Sequence, residues 1–211
     1  MTQRKNEQAE RNFQLFLFFQ RYYSGEALSY GLQDWKEVAR VLNSEWLPFK
    51  NDNFVKGITI LQTIDSDDLE SLKYDFSRLF IGPRELLASP YESSYRNVEQ
   101  LLMQKETLQV RNFYMQAGLA VANYESEPDD HMSIELEFIC YLLAKRLEQP
   151  AYDQLYVRFL QNHLLKWFED HCSNIHKYAR NKICKAMGLL LLGFLSAEKN
   201  RLLTHDPTGG R

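Results

Sequence analysis

The chain has 211 residues, of which 45% are hydrophobic and 25% are charged, and its formal net charge is −3. This length is enough for one substantial hydrophobic core. Nothing in this composition suggests general nucleic-acid binding, which needs a concentrated basic surface. No stretch reaches the roughly 20 apolar residues that a membrane-spanning helix needs, and the N-terminus lacks the pattern of a secretion signal.

The three cysteines are Cys140, Cys172 and Cys184. Their spacing fits no zinc site, and their odd number provides no disulfide framework. A chain without such a framework is typical of a reducing compartment. We therefore expect a cytoplasmic protein.

The composition favours helices, because glycine and proline are few and leucine outnumbers valine and isoleucine together. We predict an all-α fold, a single globular helical domain of nine to eleven helices over residues 1–203, with a flexible C-terminal tail over 204–211. In chain order the predicted helices cover residues 5–23, 32–43, 54–63, 65–80, 107–117, 128–148, 152–167, 173–182 and 185–203, with a helical turn over 98–103.

Two segments between these helices stand out. The acidic run at 65–68 is expected to cap the helix that follows it, because carboxylates stabilise the first turn of a helix. The segment over residues 81–95 contains two prolines and several aromatic and polar groups, and it has no helical period. Loops of this length are often functional.

The central helix is predicted to begin around Pro128, where Asp129 and Asp130 can bond the free N–H groups of the first turn. Its apolar residues fall on one broad arc, and His131 and Glu135 point into that arc. Polar groups on a buried face need partners. This helix therefore carries either a structural hydrogen-bond cluster or a binding site.

Three interpretations of this region stay open from the residues alone. In the structural one, Asp129 and Asp130 cap the helix, His131 packs, and Glu135 accepts hydrogen bonds from loop backbone or a nearby arginine. In the second, His131 and Glu135 bind a metal ion at i, i+4 spacing, as in a helical metal-dependent hydrolase. In the third, carboxylates beside the aromatic loop bind a peptide whose arginines precede an apolar stretch.

Several segments resemble the TorD/DmsD family of redox-enzyme maturation chaperones. The central one is Glu127-Pro128-x-Asp130-His131, followed by Glu135-Leu136. Others are the Leu-Phe-x-Gly-Pro segment at 79–83, the Pro-x-x-Ser-x-Tyr segment at 90–95, residues 107–119 before the central segment, and a late His-Leu-x-x-Trp element at 163–167. They follow one another in the family's order over about residues 72–168.

The resemblance implies a cytoplasmic chaperone that is not an enzyme and has no cofactor. It would bind the twin-arginine signal peptide, and the apoprotein, of a molybdopterin-containing respiratory reductase of the DMSO/TMAO reductase type, delaying export until the cofactor is inserted. The resemblance does not identify the reductase that this chaperone would serve. It also leaves open whether the protein forms a homodimer and whether it binds guanine nucleotide. Family positions implicated in peptide binding match Phe76, Leu79, Phe80, Pro90, Tyr91, Asp130 and His131, to which we add Asp129.

Structural support for this site is expected from Tyr95, Pro128, Glu135, His163 and Trp167, with Glu135 holding the Pro90 loop against the central helix. Relatives often carry tryptophan at the positions of Phe76 and Tyr91. Both residues remain aromatic here, so an aromatic peptide-binding groove is still expected. The change from tryptophan affects which partner that groove selects.

Overall fold

The computed structural model describes residues 2–45, 51–83, 85–97, 105–119, 128–146 and 149–204. Within these ranges the chain forms ten α-helices and two short 3-10 helices and no β-strand, which confirms the predicted all-α class and number of helices. The 3-10 helices are Glu26–Ser29 and Leu164–Lys166. The α-helices are α1 (Thr2–Tyr23), α2 (Leu32–Glu45), α3 (Asp52–Gln62), α4 (Ser66–Phe80), α5 (Ser93–Arg96), α6 (Lys105–Gln116), α7 (Met132–Lys145), α8 (Ala151–Asn162), α9 (Phe168–Tyr178) and α10 (Lys182–Thr204).

Two compact units share the chain, and each combines segments that are distant in sequence. The first unit contains residues 1–27 and 90–167, and the second contains residues 28–89 and 168–211. The single domain over residues 1–203 stays a prediction. Among the described residues, no helix is both long and apolar enough to cross a bilayer.

In the first unit, α1 packs against α7, and α7 packs against α8. The apolar face of α1 is buried, as its sequence requires, with Phe16 and Phe19 wholly inside the core. Aromatic rings fill the space beside α7. Phe138 and Phe159 meet edge to face with their centroids 4.8 Å apart, a favourable arrangement for aromatic pairs.

In the second unit, α10 packs against α3, α9 and α4. The contact between α10 and α3 is close because glycines lie at it. A Cβ atom on Gly193 would approach the backbone nitrogen of Phe54 to 2.6 Å, and one on Gly57 would approach Leu190 to 2.7 Å. These two glycines therefore set how near the helices can come.

The predicted acidic cap of α4 is confirmed. The Asp65 side chain accepts hydrogen bonds from the backbone of Asp67 and Asp68, and the Asp68 side chain accepts one from the Asp65 backbone. This reciprocal capping box satisfies N–H groups that the first turn would otherwise leave unbonded.

Three predicted helices have clearly wrong bounds, and one of them, predicted over 173–182, is α9 at Phe168–Tyr178. The central helix starts at Met132 rather than near Pro128, because the chain turns at 128–131 and the N–H of His131 donates to the carbonyl of Pro128 (3.1 Å). The helix predicted over 152–167 ends at Asn162, because His163 has φ −121° and ψ −97°, outside the helical region.

Other predictions fall outside the described residues. They are the turn at 98–103, the position of Glu127 and the tail after Thr204, which is itself the last residue of α10. All three cysteines are free thiols and buried.

Candidate functional site

Two of the motif segments meet in the first unit as an antiparallel bridge between Tyr91 and His131. The N–H of Met132 donates to the carbonyl of Pro90 (2.7 Å), and the N–H of Glu92 donates to the carbonyl of Asp130 (3.1 Å). The rings of Tyr91 and His131 lie edge to face, 5.0 Å apart. Both side chains are partly exposed, so the bridge presents an aromatic pair at the surface.

His131 is also the N-cap of α7. Its Nδ1 accepts a hydrogen bond from the backbone N–H of Ser133 (3.1 Å) and lies 2.7 Å from the Ser133 hydroxyl. Since a backbone N–H can only donate, Nδ1 is the acceptor. In the neutral ring the hydrogen is therefore on Nε2, where it can be donated to another group.

Asp130 is wholly buried and joins three segments. Its Oδ2 accepts a hydrogen bond from the N–H of Ser93 at the start of α5 (2.8 Å). Its Oδ1 accepts one from the hydroxyl of Thr107 in α6 (2.8 Å). The carboxylate thus holds α5 and α6 beside the turn that precedes α7, instead of capping α7 as predicted.

Asp129 is equally buried and is held by α6. Its Oδ2 accepts a hydrogen bond from Nε of Arg111, and its carbonyl accepts one from the hydroxyl of Tyr114 (2.8 Å). Burial, and then the negative charge of Glu135, raise the pKa of Tyr114 well above its usual range. The phenol therefore stays protonated and serves as the donor.

No individual role was predicted for Thr107, Arg111 or Tyr114. A signal was present, because their spacing of four and three residues places all three on one face of α6. Polar side chains on one face of a helix that is otherwise expected to pack indicate a polar partner elsewhere in the chain.

Glu92 is a further buried acid that the sequence did not assign. Its Oε2 lies 2.7 Å from Nδ1 of His163, and its Oε1 accepts a hydrogen bond from Nη1 of Arg96. The same Arg96 nitrogen donates to the carbonyl of Asn162 (2.7 Å), at the end of α8. His163 therefore has a buried carboxylate as its partner.

Glu135 lies on the buried face of α7, as predicted. Among the described residues, no group reaches its carboxyl oxygens with ordinary hydrogen-bond geometry. Burial, and then the charges of Glu92 and Asp130, raise its pKa well above the usual range, while the Trp167 indole acts in the opposite direction. The predicted bond from Glu135 to the Pro90 loop is not seen in this part of the chain, and the backbone of Met132 holds that loop instead.

Tyr95 and Trp167 lie in the same unit as the bridge. Their rings stack with centroids 5.4 Å apart and planes at 25°. Pro128 is buried, and its carbonyl closes the turn that ends at His131. All five predicted support residues therefore belong to the first unit.

The remaining predicted peptide-binding residues, Phe76, Leu79 and Phe80, belong to α4 of the second unit. All three are buried, and the rings of Phe76 and Phe80 meet at 4.9 Å. The carbonyl of Leu79 accepts a hydrogen bond from the N–H of Ala88 (3.0 Å). The candidate residues thus form two groups, one in each unit.

The described residues include no group of three or more His, Cys, Asp or Glu side chains arranged to hold a metal ion. His131 uses Nδ1 to cap α7, and Glu135 is enclosed in the core. The metal-dependent hydrolase is therefore not favoured.

Comparison with known proteins identifies related chaperones. The family model described as "Nitrate reductase delta subunit" matches residues 27–173, more than half of the chain. A Haemophilus influenzae protein named "Probable Tat proofreading chaperone DmsD" is 28% identical over 72% of this chain and 71% of its own. The "Chaperone protein TorD" of Vibrio cholerae is 28% identical over 86% of this chain and 81% of its own, and that of Vibrio parahaemolyticus is 24% identical over 92% and 95%.

These relatives are named as chaperones and not as enzymes, and two of the motif segments that suggested the family meet at the Tyr91–His131 bridge. The chain belongs to the TorD/DmsD family of redox-enzyme maturation chaperones, within the family described as nitrate reductase delta subunit.

Proposed function

We propose that this protein binds the twin-arginine signal peptide, and the apoprotein, of a molybdopterin-containing respiratory reductase in the cytoplasm, and delays export until the cofactor is inserted. The observation that carries the proposal is the bridge between Tyr91 and His131. It joins two motif segments, 40 positions apart, into one partly exposed aromatic surface. The name of the Haemophilus relative, a Tat proofreading chaperone, supports the same function.

The partly exposed rings of Tyr91 and His131 suit the chemistry of such a peptide. A guanidinium group stacks on aromatic faces, and an apolar segment packs against aromatic side chains. Tyr91 offers a phenol ring, and His131 offers a ring whose Nδ1 is already fixed by Ser133. In the proposal these two side chains make the first contact with the signal peptide.

Asp129 and Asp130 remain in the proposed site, in one of two roles. In the described conformation their carboxylates are buried and bonded inside the first unit. There they act as positioning residues that fix the segment carrying His131. Direct pairing of Asp130 with a signal arginine requires its bonds to Ser93 and Thr107 to exchange for bonds to the peptide.

Phe76, Leu79 and Phe80 are proposed to take the apolar stretch of the peptide. Their exposed fractions are 3%, 0% and 4%. Direct contact therefore requires a rearrangement around α4. Binding that is slower than ordinary protein–peptide association would support this step.

Calorimetric titration with synthetic twin-arginine signal peptides from molybdoreductases of the source organism tests the proposal. Matched peptides carry lysine at both arginine positions and keep the apolar stretch. We expect one-to-one binding that prefers one peptide and is weakened by the lysine change. Binding that survives this change would assign recognition to the apolar stretch, and no binding to any peptide would overturn the proposed peptide site.

The substitution His131→Asn removes the imidazole ring but keeps a side chain that can cap α7. Asparagine is among the best N-cap residues, so we expect the free energy of unfolding to change by less than about 0.5 kcal/mol. We expect the affinity for the signal peptide to fall by about three- to thirtyfold if the imidazole ring packs on an arginine. Calorimetry and urea unfolding of the same preparation measure both quantities. Unchanged affinity would remove His131 from the contact surface.

A further inference from the structure

The second unit contains a cavity of about 700 Å³ that the proposed signal-peptide site does not use. Its volume lies within the range of about 300–1,000 Å³ that is typical of ligand pockets. The C-terminal part of α4, the loop after α4 and the turn between α9 and α10 form its walls. We name it the arginine cavity, and its lining includes Tyr74, Ser77, Arg78, Pro83, Leu87 and Arg180.

The loop that forms one wall is fixed at both ends. The backbone N–H groups of Ile81 and Gly82 both donate to the carbonyl of Ser77 (3.0 Å each). Gly82 has φ +95°, a conformation that favours glycine and ends the helix. Further along, the N–H of Ala88 donates to the carbonyl of Leu79. Residues 81–82 and Ala88 of this wall are therefore held in place by backbone hydrogen bonds.

Buried Asp75 places both arginines. Its Oδ1 accepts hydrogen bonds from Nε and Nη2 of Arg78 (3.0 and 2.6 Å). Its Oδ2 accepts the backbone N–H groups of Arg180 and Asn181 (2.8 and 2.9 Å). One carboxylate thus fixes the guanidinium plane of Arg78 and the turn that carries Arg180.

Donors remain available at this cavity. Within the described ranges, Nη1 of Arg78 and the whole guanidinium of Arg180 have no hydrogen-bond partner, whereas both oxygens of Asp75 are occupied. Two guanidinium groups on one cavity match a carboxylate, which they can bind bidentately. A ligand with an acidic oxygen pair would therefore match these donors.

The rest of the lining selects among acidic ligands. Tyr74 is 70% exposed, and Pro83 and Leu87 also line the cavity, so an apolar group can pack beside the acid. The carboxylate of Glu85 lines it as well, and its repulsion opposes a doubly charged phosphate more strongly than a singly charged carboxylate. The N–H of Gly82 is bonded to Ser77, so it cannot bind a phosphate oxygen.

We propose that the arginine cavity is a second binding site, for an acidic peptide segment in which a carboxylate side chain is flanked by apolar or aromatic side chains. The carboxylate lies between Arg78 and Arg180, and its apolar neighbours cover Tyr74 and Leu87. None of the residues named for this cavity is among the proposed signal-peptide contacts, but Ser77 and Arg78 share α4 with Phe76, Leu79 and Phe80. The experiment below therefore uses a peptide without arginines, so that its outcome does not depend on signal-peptide binding.

The test is an NMR titration of the ¹⁵N-labelled full chain with acetyl-Leu-Asp-Leu-Phe-amide, and with the same peptide carrying Asn in place of Asp. We expect shifts centred on the amides of Ser77, Gly82 and Leu87, and at least fivefold weaker binding of the Asn peptide. Equal affinity for the two peptides, or shifts centred elsewhere, would overturn the proposal. So would tighter binding of inorganic phosphate to the same amides.

Arg180→Gln and Arg40→Gln form the matched pair of variants. Each removes one exposed positive charge from the second unit, but only Arg180 lines the cavity. We expect Arg180→Gln to lower the affinity for the Asp peptide about tenfold, and Arg40→Gln to change it little. An equal effect of the two variants would show that the peptide is attracted only by the general positive charge, and would overturn the proposed site.

Discussion

Asp130 illustrates how one side chain can be read in two ways. The sequence places it at a helix entrance, where a carboxylate can cap the helix or meet a cationic peptide. In the structure it accepts hydrogen bonds from the backbone of Ser93 and the hydroxyl of Thr107, with no exposed surface. A residue buried in this way affects both the stability of the first unit and the position of its neighbour, His131.

Replacing Asp130 with Ala and with Asn separates these effects. Alanine leaves the buried N–H of Ser93 without an acceptor, so we expect Asp130→Ala to lower the free energy of unfolding by about 1–3 kcal/mol. Asparagine can still accept from Ser93 and can donate to the Thr107 oxygen, so Asp130→Asn should cost less. Urea unfolding measures this, and equal stability of Ala and wild type would contradict it. Weakened signal-peptide binding by the folded Asn variant would indicate direct pairing of Asp130 with arginine.

At the scale of helices, short sequence patterns were sufficient to predict a helix start where the residues that cap it are close together in sequence. The capping box of α4 joins Asp65 and Asp68, three residues apart, and it was predictable for that reason. The start of α7 was not, because the backbone of 130–132 is engaged by residues 90–92. No pattern within residues 127–136 reveals that partner, so capping by Asp129 and Asp130 was the simpler interpretation.

The contact of α3 with α10 depends on small residues. We expect Gly193→Ala to lower the free energy of unfolding by about 1–3 kcal/mol, because the new Cβ would lie 2.6 Å from the backbone nitrogen of Phe54, which cannot move aside alone. Gly31→Ala is the control, since its Cβ would meet its nearest neighbour, Asp34, at 3.5 Å. Thermal and urea unfolding of both variants test this. Equal effects of the two substitutions would show that the helices can separate without cost.

For the whole chain, the sequence predicted the fold class and the family motifs but not the two-unit arrangement. Each unit is assembled from segments far apart in sequence, with no polar linker at the changes near residues 27, 89 and 167. The sequence predicted one peptide-binding site, whereas in the structure its residues belong to two different units. Likewise, the sequence placed Glu135 on the apolar face of the central helix and indicated His163 as a support residue. The surroundings of both depend on Glu92, which lies in a loop.

Glu135 gives the first unit a dependence on pH that can be measured. Its pKa is raised in the folded state by burial and by the charges of Glu92 and Asp130. Above about pH 4.5 the unfolded chain loses this proton while the folded chain keeps it, so the folded state binds more protons and its stability falls as pH rises. The slope from this one group is at most about 1.4 kcal/mol per pH unit, and it ends once pH exceeds the folded-state pKa.

We therefore expect Glu135→Gln, which cannot ionise, to gain stability over the wild type as pH rises from about 5 to 8. Glu137→Gln is the matched control, because Glu137 is exposed on the same helix and the same Glu-to-Gln change there leaves the buried groups around Glu135 unaltered. Urea unfolding at several pH values gives the difference directly. If the wild type and Glu135→Gln followed parallel curves across this range, the Glu135 carboxyl would have to titrate in the folded state as it does in the unfolded chain. A partner able to stabilise its charge would then have to reach it inside the first unit.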